Sequence, residues 1–176
     1  MALSKIDAAN FLTGTIPQGN VANASLGAVT ALPAAITTGK VLQVVYGSTT
    51  TEKVVSSATF VDSGLSASIT PSATSSKILV ICEISSVGKA NSNTYVELKL
   101  LRDTTDLITF TKESGADGGT GTNKVGNSGA SYLDSPNTTS STTYKCQMNS
   151  GSASSYGQTG GSGGVSTMTL MEIAGW

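Results

Sequence analysis

One segment near the middle of the chain limits the folds that are open to it. In the run KILVICEI, residues 77–84, apolar side chains occupy both alternating sets of positions. Neighbouring side chains of a strand point to opposite faces, so a strand that is apolar on both faces belongs in the middle of a sheet. Similar β-branched runs recur between stretches rich in Ser, Thr and Gly, which favours a folded β domain over disorder.

Short alternating segments separated by polar turns continue to the C-terminus, and after residue 38 no segment has a convincing helical period. We therefore predict an all-β fold, an antiparallel β-sandwich or jelly roll of about 8 strands with an extended N-terminal arm. The last strand is too apolar to be left free, so we expect it inside a sheet. The predicted strands are 40–46, 52–57, 58–62, 65–70, 77–85, 94–101, 106–112, 130–133, 142–148 and 165–174.

Three connections in this pattern are assigned as turns or loops. The sequence VDSG places a turn at Asp62, Ser63 and Gly64. Residues 113–129 are predicted to form a long glycine-rich loop, and residues 151–164 a second Gly/Ser loop. Loops of this length in a compact domain commonly carry function.

The first 38 residues differ from the rest and are predicted to form a separate arm, with the β domain spanning 39–176. This arm is apolar, interrupted by Gly and Pro, and has a weak helix signal only at 4–11. Alone in water it should be mobile, so we infer that it packs on another chain or on a symmetric copy of itself. The candidate assembly residues of the arm are Ile6, Phe11, Leu12, Ile16, Val21 and Leu26.

Composition argues against several classes of function. Charged residues make up 12% of the chain and the formal net charge is −1, whereas a nucleic-acid binder needs a basic surface. Docking on an anionic membrane has no electrostatic support either. No apolar run approaches the ~20 residues that span a bilayer, and the N-terminus lacks the pattern of a signal peptide, so we expect synthesis and assembly in a cytosol.

Catalytic and metal chemistry has little support in the sequence. The chain has no histidine, the commonest general base and metal ligand. Asp103 and Asp106 share one predicted hairpin, but a turn role for Asp103 is favoured over a glycosidase acid pair. Asp117, Asn123 and Asn127 are too far apart in the chain to suggest a calcium site. We therefore expect no enzyme activity, no metal and no cofactor.

Four residues in apolar strands leave alternatives open. Glu83 and Glu172 are expected to point outward, the alternative being burial beside a cation such as Lys99 or Lys145. Cys82 and Cys146 are expected to be free, buried thiols, although a disulfide is possible if their strands face each other across a sandwich.

Aromatic residues near the predicted loops suggest a second kind of role. Tyr132 and Tyr156 either pack on strand edges, with Trp176 anchoring the C-terminus, or form part of a hydroxyl-rich rim that binds glycans. Only the rim interpretation predicts a loss of cell binding when these side chains are removed.

Three blocks of the β domain resemble a module of tail-fibre and related virion proteins of tailed bacteriophages. They are GKVLQVVYGSTTTEK, FVDSGLSASITPSATSSKILVICEIS, and DSPNTTSSTTYKCQMNS together with VSTMTLMEIAG, and they span about residues 39–176. The opening SKIDAANFLTGTIPQGNVANASL is similar to repetitive stretches that precede the globular tips of such fibres. The chain departs from a long fibre because almost no shaft lies between arm and head.

The resemblance implies a virion structural protein that works by assembly and adhesion. It implies a short tail fibre or receptor-binding appendage, or a capsid decoration or head-fibre protein, made in the host cytoplasm and carried on the virion. A carbohydrate-binding module is a further alternative. The arm would bind other virion proteins and its own copies, as a homotrimer, and the loops would contact a host surface glycan. The candidate receptor-contact residues are Tyr132, Tyr156, Asn123 and Asn127.

Overall fold

The computed structural model of the protein describes residues 40–89, 94–117, 123–151, 157–159 and 163–175. These residues lie within one compact unit, Thr38–Trp176. The predicted helix at 4–11 and all six candidate arm residues lie outside the described residues. The described part consists of ten strands joined by turns, and it contains no α-helix.

Two antiparallel sheets are packed face to face. The first sheet has the order β1-β10-β4-β7 and is extended by the short strands β2 and β9, and the second sheet has the order β3-β8-β5-β6. The strand bounds are Val41–Thr49 (β1), Lys53–Val55 (β2), Val61–Ile69 (β3), Lys77–Lys89 (β4), Thr94–Arg102 (β5), Thr105–Asp117 (β6), Asn123–Asp134 (β7), Thr142–Asn149 (β8), Gly157–Thr159 (β9) and Ser166–Ile173 (β10).

Chain order alternates between the sheets so that the eight long strands form a jelly roll. This confirms the all-β sandwich expected from the sequence. The apolar segment at 77–84 lies in β4, which is hydrogen-bonded to β10 on one side and to β7 on the other. The C-terminal strand β10 is enclosed between β1 and β4, as predicted.

The core fills the space between the sheets and follows the period-2 pattern. From the first sheet, β4 and β10 contribute side chains such as Val80 and Leu170, both 0% exposed. From the second sheet, β5 and β8 contribute Leu98 and Met148, which are equally buried. Burial of large apolar side chains on both inner faces stabilises the packing of the two sheets.

The two sheets also come close together at both edges of the sandwich. At one edge, a Cβ added to Gly47 of β1 would clash with the carbonyl oxygen of Ser66 in β3, so only glycine permits this approach. At the other edge, the hydroxyls of Thr111 in β6 and Ser128 in β7 are hydrogen-bonded. The sandwich is therefore nearly closed.

The prediction of a loop at 113–129 is wrong for most of these residues. Strand β6 continues to Asp117 and β7 begins at Asn123, so only 118–122, outside the described residues, separates them. Irregular residues, with positive φ at Glu113, Gly115 and Gly126, let the strands continue through a glycine-rich sequence. The second predicted loop, 151–164, is wrong in part because β9 lies within it.

The turn predicted at VDSG is also wrong. Strand β3 runs without a break from Val61 to Ile69 and pairs with β8, and its register shifts between Asp62 and Ser66. Gly64 has a φ of 91°, which glycine adopts without strain. The residues therefore form a bulge in one strand, and a bulge and a turn use the same residue types.

Both cysteines are free and buried, as favoured from the sequence. Cys82 is on β4 of the first sheet and Cys146 is on β8 of the second, and both belong to the core between the sheets. The neighbouring Cys82 thiol and burial raise the pKa of the Cys146 thiol. The thiols therefore act as small apolar groups in the centre of the sandwich.

Candidate functional site: the outer face of the first sheet

The two outer faces of the sandwich differ sharply in chemistry. On the second sheet, the outer face is polar: Asp62 accepts hydrogen bonds from Lys145 (3.1 Å) and Gln147 (2.7 Å), and Lys99 pairs with Asp106 at 2.9 Å. The hydrogen bond from Gln147, with help from Lys145, lowers the pKa of the Asp62 carboxyl. This face is well suited to contact with water.

The outer face of the first sheet is apolar. Register places Val44, Met171, Leu79 and Leu133 side by side in one row that crosses β1, β10, β4 and β7. Opposed side chains in such a row are about 4.5–5.5 Å apart at Cβ, so the apolar surface is continuous. We call this surface the apolar face; it consists of Val41, Val44, Tyr46, Leu79, Ile81, Leu133, Met171 and Ile173.

Large side chains of the apolar face are exposed. Tyr46 is 61% exposed, Val44 57%, Leu133 47% and Ile81 40%. Neighbouring positions on the same strands, such as Val80 and Leu170, are fully buried on the inner side. Soluble monomers seldom expose a contiguous apolar patch of several hundred Å², and such a patch marks an interaction surface.

Among the described residues, charged side chains flank the apolar face at its two ends. Lys77 and Glu83 occupy the outward positions of β4 on either side of Leu79 and Ile81, six residues apart. Lys77 donates to the Ser135 hydroxyl at 2.7 Å, and Glu83 accepts from Asn127 at 3.0 Å. Two rows of side chains lie between Lys77 and Glu83. Their described positions are occupied by apolar residues, except for the uncharged Thr169 and Ser131. The face is thus apolar in its centre and electrically neutral as a whole.

A shallow groove of about 390 Å³ lies at the Glu83 end of the apolar face. Its floor and walls include Ile81, Glu83, Asn127, Gly129 and Ser131. A Cβ added to Gly129 would lie 2.7 Å from the carbonyl oxygen of Cys82, so this position requires glycine. A carboxylate, an amide and a hydroxyl beside an apolar wall can hydrogen-bond and pack against a sugar-like ligand.

The candidate receptor-contact residues are placed differently from one another. Asn127 is exposed and lies in the groove. Tyr132 is partly buried and packs against the core, which matches the structural alternative in the sequence interpretation. The side chain of Asn123 and the whole of Tyr156 lie outside the described residues, as does Trp176.

Glu83 and Glu172, for which the sequence left two orientations open, differ in their exposure to solvent. Glu83 is exposed, as expected, but the outward orientation expected for Glu172 is wrong, because this residue is 0% exposed. Its partners are not Lys99 or Lys145, which pair with Asp106 and Asp62. Hydroxyl and amide donors of Ser72, Ser76 and Gln43 surround it instead. No sequence pattern indicates these donors, because all three residues are distant from Glu172 in the chain.

Asp103 and Asp106 are used structurally. Asp103 sits in the turn between β5 and β6 with a φ of 52°, and its carboxylate accepts a hydrogen bond from the backbone N–H of Thr143 at 2.9 Å. The turn role predicted for Asp103 is therefore confirmed. Asp106 is engaged by Lys99 on the surface.

The part of the chain described by the structure contains no group of three or more metal-ligating side chains. Within the same residues, no helix is long and apolar enough to cross a membrane.

Sequence reasoning missed the apolar face because it assigned recognition to loops. A signal was present, since the 77–84 run is apolar at both alternating sets of positions and one set needs a partner outside the core. No family model matches this chain, and no curated protein matches it either.

Proposed function

We propose that this protein is a structural component of a tailed-bacteriophage virion, in which the jelly roll is the head of a short tail fibre or receptor-binding appendage. The observation that supports this most is the apolar face, because a surface of this kind suits a protein that works in contact with others. The sequence blocks that resemble virion appendage proteins supply the type of assembly. Fold alone carries no function, since jelly rolls serve many roles.

The N-terminal arm, residues 1–38, attaches the protein to other virion proteins and to sister copies. Between Asp7 and Lys40 the chain has no charged residue, so this segment is suited to burial against another protein surface.

Adhesion to the host uses polar groups at the rim of the head. Asn127 is exposed at this rim, and its amide can hydrogen-bond the hydroxyls of a surface glycan. Single contacts of this type are weak, and many copies on one particle increase the total strength of attachment. No turnover of a substrate is involved in this role.

Immunogold labelling of particles released from cells that carry the gene tests the proposal. We expect gold at the tail tip in electron micrographs of intact particles, and a particle from which the gene has been deleted serves as the control. Gold spread over the capsid would instead identify a decoration or head-fibre protein. Particles that carry no label, while the protein remains in the unassembled fraction, would contradict a virion role.

A further inference from the structure

We infer that the apolar face is covered by the apolar face of a second copy of this chain. This inference rests on the proposed structural role and names the partner of one surface within it. The starting point is the contrast between the two outer faces, since one sandwich carries ion pairs on one side and a row of exposed apolar side chains on the other.

The charges at the ends of the face favour a copy of itself as the occupant. A face with several charges of one sign would repel its own copy, but this face carries one Lys and one Glu at opposite ends of β4. When two copies pack with their β4 strands antiparallel, Lys77 of each lies near Glu83 of the other. The apolar rows between them meet at the same time, so the surface is complementary to itself.

The geometry of the sheet also suits this packing. Exposed faces of twisted sheets stack at about 10 Å with a mean strand angle near 30°, as the inner faces of a sandwich do. The central positions are occupied by Leu79, Ile81 and Met171, which have no charge to bury. The polar residues of the two middle rows, Thr169 and Ser131, are small and uncharged.

The size of the face determines how strong this contact is. With strands about 4.8 Å apart and a rise of about 3.4 Å per residue, the four strands between the Lys77 and Glu83 rows cover about 400 Å² per copy. Stable specific interfaces bury about 800 Å² on each partner. The face alone therefore gives a concentration-dependent association, and tethering of sister copies by the arm would raise their effective concentration to about the millimolar range.

The test uses the full chain and two readouts. Sedimentation velocity at about 1 to 300 µM, a range that spans weak association, reports the mass of the assembly. Oxidation by dilute peroxide, read by mass spectrometry, reports the accessibility of Met171 on the face. The buried Met148 and Met168 are internal controls, because both are 0% exposed within the sandwich.

The variant Val44→Lys/Ile81→Lys places two charges on exposed positions of the face. The matched control Ser66→Lys places a charge on an exposed position of the second sheet. We expect the wild type and the control to associate with Met171 protected. The double variant should associate at least tenfold more weakly and oxidise at Met171 at least tenfold faster, while circular dichroism shows the same β fold.

A charge exchange distinguishes a second copy from any other partner. Lys77→Glu alone should weaken association severalfold, and Lys77→Glu/Glu83→Lys should restore it, because only a self-complementary contact contains both residues twice. A wild type that stays monomeric at about 300 µM would overturn the inference. It would also be overturned if the double variant had the same assembly mass and the same rate of Met171 oxidation as the wild type. A monomer with protected Met171 would also overturn it and identify the protein's own arm as the cover. Each of these results is independent of the labelling of particles, which tests the virion role separately.

Discussion

Replacement of Asp134 by alanine is expected to lower the free energy of unfolding by about 3–5 kcal/mol, the usual cost of breaking a buried ion pair from one side. Asp134 lies at the end of β7 and is 6% exposed. It accepts two hydrogen bonds from Arg102 of β5, at 2.8 and 3.0 Å, and one from the Tyr144 hydroxyl of β8 at 2.7 Å. One carboxylate thus links the two sheets.

The cost is large because the buried Tyr144 hydroxyl would lose its acceptor and Arg102 would keep only the Ser135 carbonyl oxygen, at 3.4 Å. Tyr144 is 0% exposed, and burial together with the neighbouring Asp134 raises the pKa of its hydroxyl. Without the carboxylate, the Tyr144 hydroxyl would be left unsatisfied and Arg102 would lose its counter-charge. Tyr144→Phe removes only one of the three hydrogen bonds and should cost about 1 kcal/mol.

Urea denaturation followed by fluorescence or circular dichroism measures both effects. The matched control is Asp106→Ala, which breaks the ion pair with Lys99 on the surface, where Asp106 is 64% exposed. Exposed pairs of this kind contribute about 0–1 kcal/mol. Surface substitutions usually change the free energy of unfolding by no more than about ±0.5 kcal/mol. If the free energies of unfolding of Asp134→Ala and Asp106→Ala differ by less than about 1 kcal/mol, the network does not join the sheets as described.

Stability is expected to fall as the pH is lowered from about 4.5 to about 2 because of Glu172. Its carboxylate is fully buried, and one oxygen accepts from the Ser72 backbone N–H (2.7 Å), the Ser72 hydroxyl (2.6 Å) and the Ser76 hydroxyl (2.6 Å). The other oxygen accepts from the Gln43 amide at 2.6 Å. Burial alone would raise the pKa, but the hydrogen bonds outweigh it and lower the pKa of Glu172 to about 2.

The sign follows from the lowered pKa in the folded state. The contribution of Glu172 is fully present above its unfolded pKa of about 4.5, and it is lost as protons bind the folded carboxylate near pH 2. At about 1.4 kcal/mol per pKa unit, the total amounts to up to about 3 kcal/mol.

The measurement is the free energy of unfolding of wild type and Glu172→Gln between pH 2 and 7. Glu172→Gln should be less stable at pH 7, and the difference between the two proteins should shrink toward pH 2. Glu83→Gln is the matched control, because Glu83 is exposed on the neighbouring strand, where a substitution usually changes stability by less than about 0.5 kcal/mol. A difference that stays constant across the whole range would show that Glu172 is protonated or unimportant.

Much of the fold was accessible from the sequence because the period-2 pattern is clear where one face is buried. Val96, Leu98 and Leu100 alternate with polar residues in the sequence and are fully buried, and Tyr144, Cys146 and Met148 follow the same pattern. The glycine-rich stretches were assigned wrongly because glycine favours a loop locally, while pairing with β4 and β5 holds 113–117 and 123–129 in strands. Long-range pairing decided these segments, and a local pattern does not contain it.

The candidate site was harder to predict for a different reason. The apolar face exists only when Val44, Met171, Leu79 and Leu133, which are distant in the chain, align in register across four strands. The environment of Glu172 likewise depends on residues that are 96 to 129 positions away. The sequence shows each residue type, but the jelly-roll connectivity determines which of them meet.

A cryo-electron microscopy map of the intact particle tests both the virion role and the use of the apolar face. The proposal predicts jelly-roll density for this chain on the particle, with the outer face of the first sheet buried against another copy and the charged face of the second sheet toward solvent. A map in which no density fits the chain, or in which the apolar face is open to water, would contradict it.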